Sequence, residues 1–140
     1  MKKLYGNIVT GAFVMRMNRF VIHAEIDGRI EICHMPNPGR MRELLFPGVK
    51  MYLVKSRNPL NRTAYRVIGV ERDGEVILLD TSKCNDVAHY LVSHHLIAGW
   101  EEYSVVQRKV TMGDSRFDLL LGNEVTGEVF PVEVKSCTLF

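Results

Sequence analysis

The chain has 140 residues, 46% of them hydrophobic and 24% charged, with a formal net charge of +2. Aromatic and β-branched residues are too plentiful for a disordered chain, and the length fits one compact domain or two small ones. No run of about eighteen apolar residues exists to cross a membrane as a helix, and Asn7, Thr10, Arg16 and Asn18 break up any signal-peptide core after Met1-Lys2-Lys3-Leu4.

In chain order, residues 20–26 read as a strand, and Asp27-Gly28 is a strong hairpin signal. Its partner is 29–33, where Ile30 and Ile32 alternate with charges. Met35-Pro36-Asn37-Pro38-Gly39-Arg40 cannot be a central strand, because each proline lacks a ladder donor. It reads as a stiff loop entering a short helix at 41–46, stopped by Pro47-Gly48. Residues 49–54 form a strand, and 64–70 and 75–79 a second hairpin through Asp73-Gly74. About five short strands with tight turns suit a small barrel.

The pattern changes at 81–85, the expected domain boundary. Val87, Ala88, Leu91, Val92 and Leu96 recur at helical spacing, with Asn85 or Asp86 as cap and Gly99 as stop. Strands return at 103–110, 116–121 and 129–137. The expected class is therefore α+β.

Charge is divided unevenly. Residues 1–72 hold thirteen Lys/Arg against five Asp/Glu, a net +8, and residues 73–140 hold five against eleven, a net −6. A basic half points to a polyanionic partner and an acidic half to a metal or a solvated surface. Cys33, Cys84 and Cys137 lie far apart without a Cys-x-x-Cys pair, so neither a disulfide framework nor a zinc knuckle is expected. The expectation is three isolated buried thiols in a reducing, cytoplasmic setting.

The strands near the C-terminus carry the chemistry. Arg116 and Asp118 share one face of their strand, and Glu133 and Lys135 one face of the next. A hairpin centred between Val125 and Thr126 sets Asp118 opposite Glu133 and Arg116 opposite Lys135. Like charges across strands are destabilising by roughly 0.2–1 kcal/mol, whereas a divalent cation makes the same pair useful. Mg2+ takes one or two carboxylates plus waters and phosphate oxygens, and activates water at a phosphorus centre. Lys135 then stabilises developing charge and Arg116 holds a neighbouring phosphate. The competing reading is that Glu133 and Lys135 are solvated on an exposed strand.

With these residues in view, the chain resembles the sugar fermentation stimulation protein family (SfsA). The matching stretches are Asn18-Arg19-Phe20; Pro36-Asn37-Pro38-Gly39-Arg40 with Arg42-Glu43-Leu44; Gly113-Asp114-Ser115-Arg116-Phe117-Asp118; and Val132-Glu133-Val134-Lys135-Ser136 with Thr138-Leu139. The resemblance implies an OB-fold-like barrel over 1–82 and a PD-(D/E)xK nuclease-like α/β domain over 83–140. It implies DNA binding and a link to regulation of sugar metabolism. By position, Asp118, Glu133 and Lys135 become the nuclease-type acid, acid and lysine, with Asp118 and Glu133 on the metal. The family usually continues beyond the Glu-x-Lys strand, so a fragment or a shortened member is expected, with a sheet edge that a second copy can cover. The preceding helix, where such folds often place a further acid, offers His89, His94 and His95, with Asp86 only at its start.

A binding surface is expected around Arg16, Arg19, Asn37, Arg40 and Arg42, with Arg116 in the second half. Arginines and backbone N–H groups contact phosphate, and aromatics such as Phe13 and Phe20 either stack bases or fill the core. Three functions remain open: a regulatory DNA-binding protein, a Mg2+-dependent nuclease, and a barrel that docks another protein.

Overall fold

The structure is a computed structural model that describes residues 2–138. It divides into two units, one running to Ser82 and rejoined by Cys137 and Thr138, the other spanning Lys83–Ser136.

The first unit is organised around a strand that the sequence pattern did not reveal. After a short helix α1 (Lys2–Tyr5), β1 (Ile8–Arg16) pairs antiparallel with two neighbours in turn. Its first half lies on β4 (Lys50–Lys55), from Ile8↔Val54 to Ala12↔Lys50, and its second half on β2 (Val21–Ile26), from Ala12↔Glu25 to Arg16↔Ile22. A register shift between Phe13 and Met15 bends the strand between them. Gly11 sits at the handover. A Cβ there would lie 2.8 Å from the Glu25 carbonyl oxygen and 2.9 Å from Ile26 Cγ1. Both neighbours therefore close in only because residue 11 has no side chain.

The two expected hairpins form as read. Strand β2 turns into β3 (Arg29–His34) through Asp27 and Gly28, with φ of 51° and 77°. Strand β5 (Tyr65–Arg72) turns into β6 (Glu75–Leu78) through Asp73 and Gly74, with φ of 51° and 80°. Positive φ at both central residues matches the turn twist to the strand twist. Ile22, Ala24 and Ile26 point inward from β2, and Met51 and Leu53 from β4, to form the core with Val67 and Val70.

The sheet order is β3-β2-β1-β4-β5-β6. Strand β3 also meets β5 in parallel, but only at Cys33↔Tyr65 and His34↔Arg66. The sheet curls as expected, yet a seam of two pairs leaves it partly open rather than a closed barrel. At its end Asp80 is buried. Burial raises its carboxyl pKa, but the Arg66 guanidinium at 2.8 Å and the Ser82 hydroxyl at 2.6 Å outweigh that, and the net shift is downward.

Residues 41–46 are not a helix. They make a single turn in which the Met41 carbonyl accepts from the amides of Leu44 and Leu45. Met41 takes a φ of 48°, and Pro47 follows before a second turn can close. The three thiols are not all buried either: Cys33 is, Cys84 is half-buried and Cys137 is exposed.

In the second unit, α2 (Cys84–Ser93) ends before Gly99, because His95 already turns the chain with a φ of 54°. It packs on β7 (Tyr103–Met112) and β8 (Ser115–Asn123), which with β9 (Val129–Val132) form an antiparallel sheet in the order β7-β8-β9. Val92, Leu119 and Leu121 are the buried centre, flanked by Trp100 and Phe130. The expected strand over 129–137 stops at Val132. The described chain is thus mostly sheet, and no described helix is long and apolar enough to cross a membrane.

Two predictions follow from the first unit's packing. Gly11→Ala forces β1 against β2 and should cost about 1–3 kcal/mol, read as a lower urea midpoint; an unchanged midpoint would contradict the close approach. Burial, with Glu31 adding to it, pushes the Cys33 thiol up to about 12. At neutral pH a thiol reagent should therefore label exposed Cys137 promptly and Cys33 only on unfolding, as peptide mapping will show.

Candidate functional site

Two separate places hold the residues singled out from the sequence. The first is a cleft in the first unit, about 690 Å³ in volume, lined by Arg16, Arg19, Arg40 and Arg42 with Phe13, Asn18, Pro38, Gly39 and Leu45. Its lining contains four arginines and no acidic residue. Strand β1 delivers Arg16, the turn after it delivers Arg19, and the proline-framed loop delivers Arg40 and Arg42.

These arginines do different jobs. All five N–H groups of Arg16 are spent on backbone carbonyls. Nε donates to Asn18 at 3.1 Å; Nη1 to Gly39 at 2.5 Å and Arg40 at 3.1 Å; Nη2 to Arg19 at 2.7 Å and Asn37 at 3.0 Å. A guanidinium has no further donors, so in this structure Arg16 holds backbone and has no donor left over for the phosphate contact expected of it. Burial lowers its pKa, and the carbonyl dipoles offset that desolvation. By contrast, Arg19, Arg40 and Arg42 are exposed, and among the described residues no hydrogen bond or ion pair holds their guanidiniums.

Asn37, also expected at the binding surface, is buried, and its Oδ1 accepts from the Gly39 amide at 2.9 Å. This side-chain turn fixes the loop and occupies one of the N–H groups expected to meet phosphate. Phe13 is core, whereas Phe20 is half-exposed. Asn18, not singled out individually, lines the cleft while its Oδ1 accepts from the Phe20 amide at 2.9 Å. An Asn two residues before a turn amide is a readable signal for that bond.

The second place is around Asp118. The register is the expected one, running from Gly122↔Val129 to Leu119↔Val132. The next pair would be Asp118 opposite Glu133, and there the ladder stops. Asp118 Oδ2 instead accepts from the Val134 amide at 2.8 Å, and Oδ1 from Asn85 Nδ2 at 2.8 Å. Glu133 turns to Lys135, with Oε1 and Nζ 2.6 Å apart and both side chains exposed. The Lys135 ammonium is held above its usual pKa by Glu133 first and by Asp118 more weakly. Arg116 stands exposed at the start of β8, opposite Thr111. Asn85, read from sequence as a helix cap, is thus a direct partner of Asp118, and a long-range bond of this kind leaves no local spacing signal.

A divalent cation needs about six oxygen ligands, of which Mg2+ takes one or two carboxylates. Here one carboxylate has both oxygens bonded and the other is paired to an ammonium. Among the described residues no three His, Cys, Asp or Glu side chains gather as a metal site. The residues present do not fit the expected Mg2+ centre in this arrangement.

Comparison with known proteins bears on both places. Residues 14–79 match the family model described as the SfsA N-terminal OB domain, and residues 82–140 that of the sugar fermentation stimulation protein RE domain. The sugar fermentation stimulation protein homolog of Clostridium tetani is 36% identical over 133 residues, covering 95% of this chain and 57% of the relative. That of Clostridium beijerinckii is 34% identical, covering 96% and 58%. A solved structure, that of Pyrococcus furiosus SfsA in complex with Ca2+, aligns with a TM-score of 0.68 and 26% identity over 91% of this chain and 54% of that one. The chain spans somewhat more than half the length of the relatives it matches.

The bonds at Asp118 predict a stability role. Asp118→Ala leaves the Asn85 amide and the Val134 N–H without their acceptor and should cost about 1–3 kcal/mol, measured as a lower denaturation midpoint. Glu133→Gln and Lys135→Ala, at exposed positions, should leave the midpoint in place. Equal effects of all three would refute that role for Asp118.

Proposed function

The chain belongs to the sugar fermentation stimulation protein family, and on that premise we propose that it binds nucleic acid, with DNA the best-fitting ligand, through the arginine-lined cleft of its first unit. The observation that carries this reading is the cleft itself: Arg19, Arg40 and Arg42 exposed on one concavity, with no acidic residue among its lining. Guanidiniums donate to phosphate oxygens in pairs, and a frame stiffened by prolines loses little entropy when a ligand arrives. A regulatory rather than catalytic role follows from the second unit, where the nuclease-type acid, Asp118, spends both oxygens on protein donors. The expected division into a binding unit over 1–82 and a nuclease-like unit over 83–140 is part of this proposal.

One observation favours a second reading, a metal-dependent nuclease. The Pyrococcus furiosus relative was solved in complex with Ca2+, and the Asp118 carboxylate is close enough here to add to the upward shift of Lys135. For this chain to cleave DNA, Asp118 and Glu133 would have to give up their present partners.

A binding experiment and a cleavage experiment test the two readings. Affinity for a labelled DNA duplex should fall steeply with salt, each phosphate contact adding about 0.9 to the log–log slope. The double variant Arg40→Ala, Arg42→Ala should weaken binding and flatten that slope by roughly two. A slope unchanged in the double variant retires the cleft as the contact surface. Incubation of plasmid DNA with Mg2+ should leave it intact; cutting that Asp118→Asn and Lys135→Ala both abolish would establish the second reading instead.

A further inference from the structure

Arg16 touches the cleft yet has no donor left for a ligand. Its five carbonyl partners come from two separate stretches, Asn18 and Arg19 after β1, and Asn37, Gly39 and Arg40 in the proline-framed loop. Two of those partners are the backbones of Arg19 and Arg40, whose side chains line the cleft. We propose that Arg16 is a positioning residue: a latch that fixes the two loops against one another and so presets the spacing of the phosphate-binding arginines before any ligand arrives. The inference rests on the nucleic-acid reading of the cleft for its consequence, but the latch itself is a property of the free protein.

Three features make the latch more than an incidental contact. The loop contains Pro36 and Pro38, which have no N–H, so it cannot be held by ladder bonds of its own. It is held by acceptors instead, and one planar fork reaches three of them. The loop is also braced internally, since Asn37 Oδ1 takes the Gly39 amide. A Cβ at Gly39 would lie 3.0 Å from that oxygen, so the brace leaves almost no room for one. Finally, the geometry is specific to arginine. A lysine supplies the same charge from a single point with three donors, and cannot span carbonyls on two loops.

The test separates a latch from a direct phosphate contact and from mere charge. In the free protein, Arg16→Gln should speed amide exchange roughly tenfold at residues 18–20 and at Asn37, Gly39 and Arg40, while amides of β4 and β5 keep their protection. Exchange that stays unchanged at both loops overturns the latch, whether or not the protein binds DNA. On a labelled DNA duplex, Arg16→Gln should lower affinity roughly tenfold, because the loops must then be ordered on binding. The salt slope should stay that of the native protein; a slope flattened by about one would mark Arg16 as a phosphate contact and refute the proposal. Arg16→Lys should be no better than Arg16→Gln, and rescue by lysine would reduce the residue to a charge. Asn37→Ala, which loosens the same loop and leaves the charge untouched, should reproduce the loss of affinity at constant slope. If the native protein fails to bind DNA at all, the function proposed above falls, and the exchange measurement still decides the latch.

Discussion

The Arg16 guanidinium is the constraint on which the cleft depends. Loops without ladder bonds leave carbonyls that need donors, and the loop carrying Pro36 and Pro38 is short of donors of its own. Arg16 answers five carbonyls at once from the end of β1. The cost is partial burial of a charge, visible in its lowered pKa. The gain is a fixed backbone at Arg19 and Arg40 without any regular secondary structure there. Strand β1 reaches this point after the close approach at Gly11 and the bend between Phe13 and Met15.

Asp118 does the corresponding work in the second unit, with the charges reversed. The sheet ladder between β8 and β9 runs out at Leu119↔Val132. Continuing it would set two carboxylates across from each other, which costs energy without a cation. The chain leaves the sheet instead, and the Asp118 side chain takes over the Val134 amide that a further ladder pair would have occupied. Asn85 at the start of α2 fills the other oxygen, which ties the helix to the sheet at the same point. An acid in a nuclease-like pattern is thus used as a chain stop.

Much of the fold was legible because its signals are local. Both Asp-Gly hairpins and the register of the last one could be read from spacing alone, since a turn and a period of two determine which residues face each other. What escaped depends on distant partners. Strand β1 is half-buried along most of its length because β4 and β2 take it in turn, so it shows no clean alternation. The helix expected at 41–46 fails on the positive φ of Met41, to which apolar periodicity is blind. The end of β9 was hidden for a similar reason: alternation continues through Glu133 and Lys135, while the ladder ends at Leu119↔Val132 and the Asp118 side chain takes the next amide. At the cleft, residue type could not say which arginine is committed to carbonyls and which are exposed.

That last distinction bears on what kind of recognition the cleft can support. Arg16 keeps its positive charge after its donors are used, so it adds to the field that attracts a polyanion without fixing any one phosphate. Arg19, Arg40 and Arg42 have donors to offer, and donors aimed at phosphates carry no direct sequence information. Phe13, the aromatic nearest the floor, is too buried to stack a base. If the cleft takes nucleic acid as proposed, guanidiniums at a preset spacing would read backbone geometry, the distance between successive phosphates, rather than base edges. On that proposal, base preference would have to come from side chains outside the cleft, and the loops that Arg16 joins would set which backbone geometry fits.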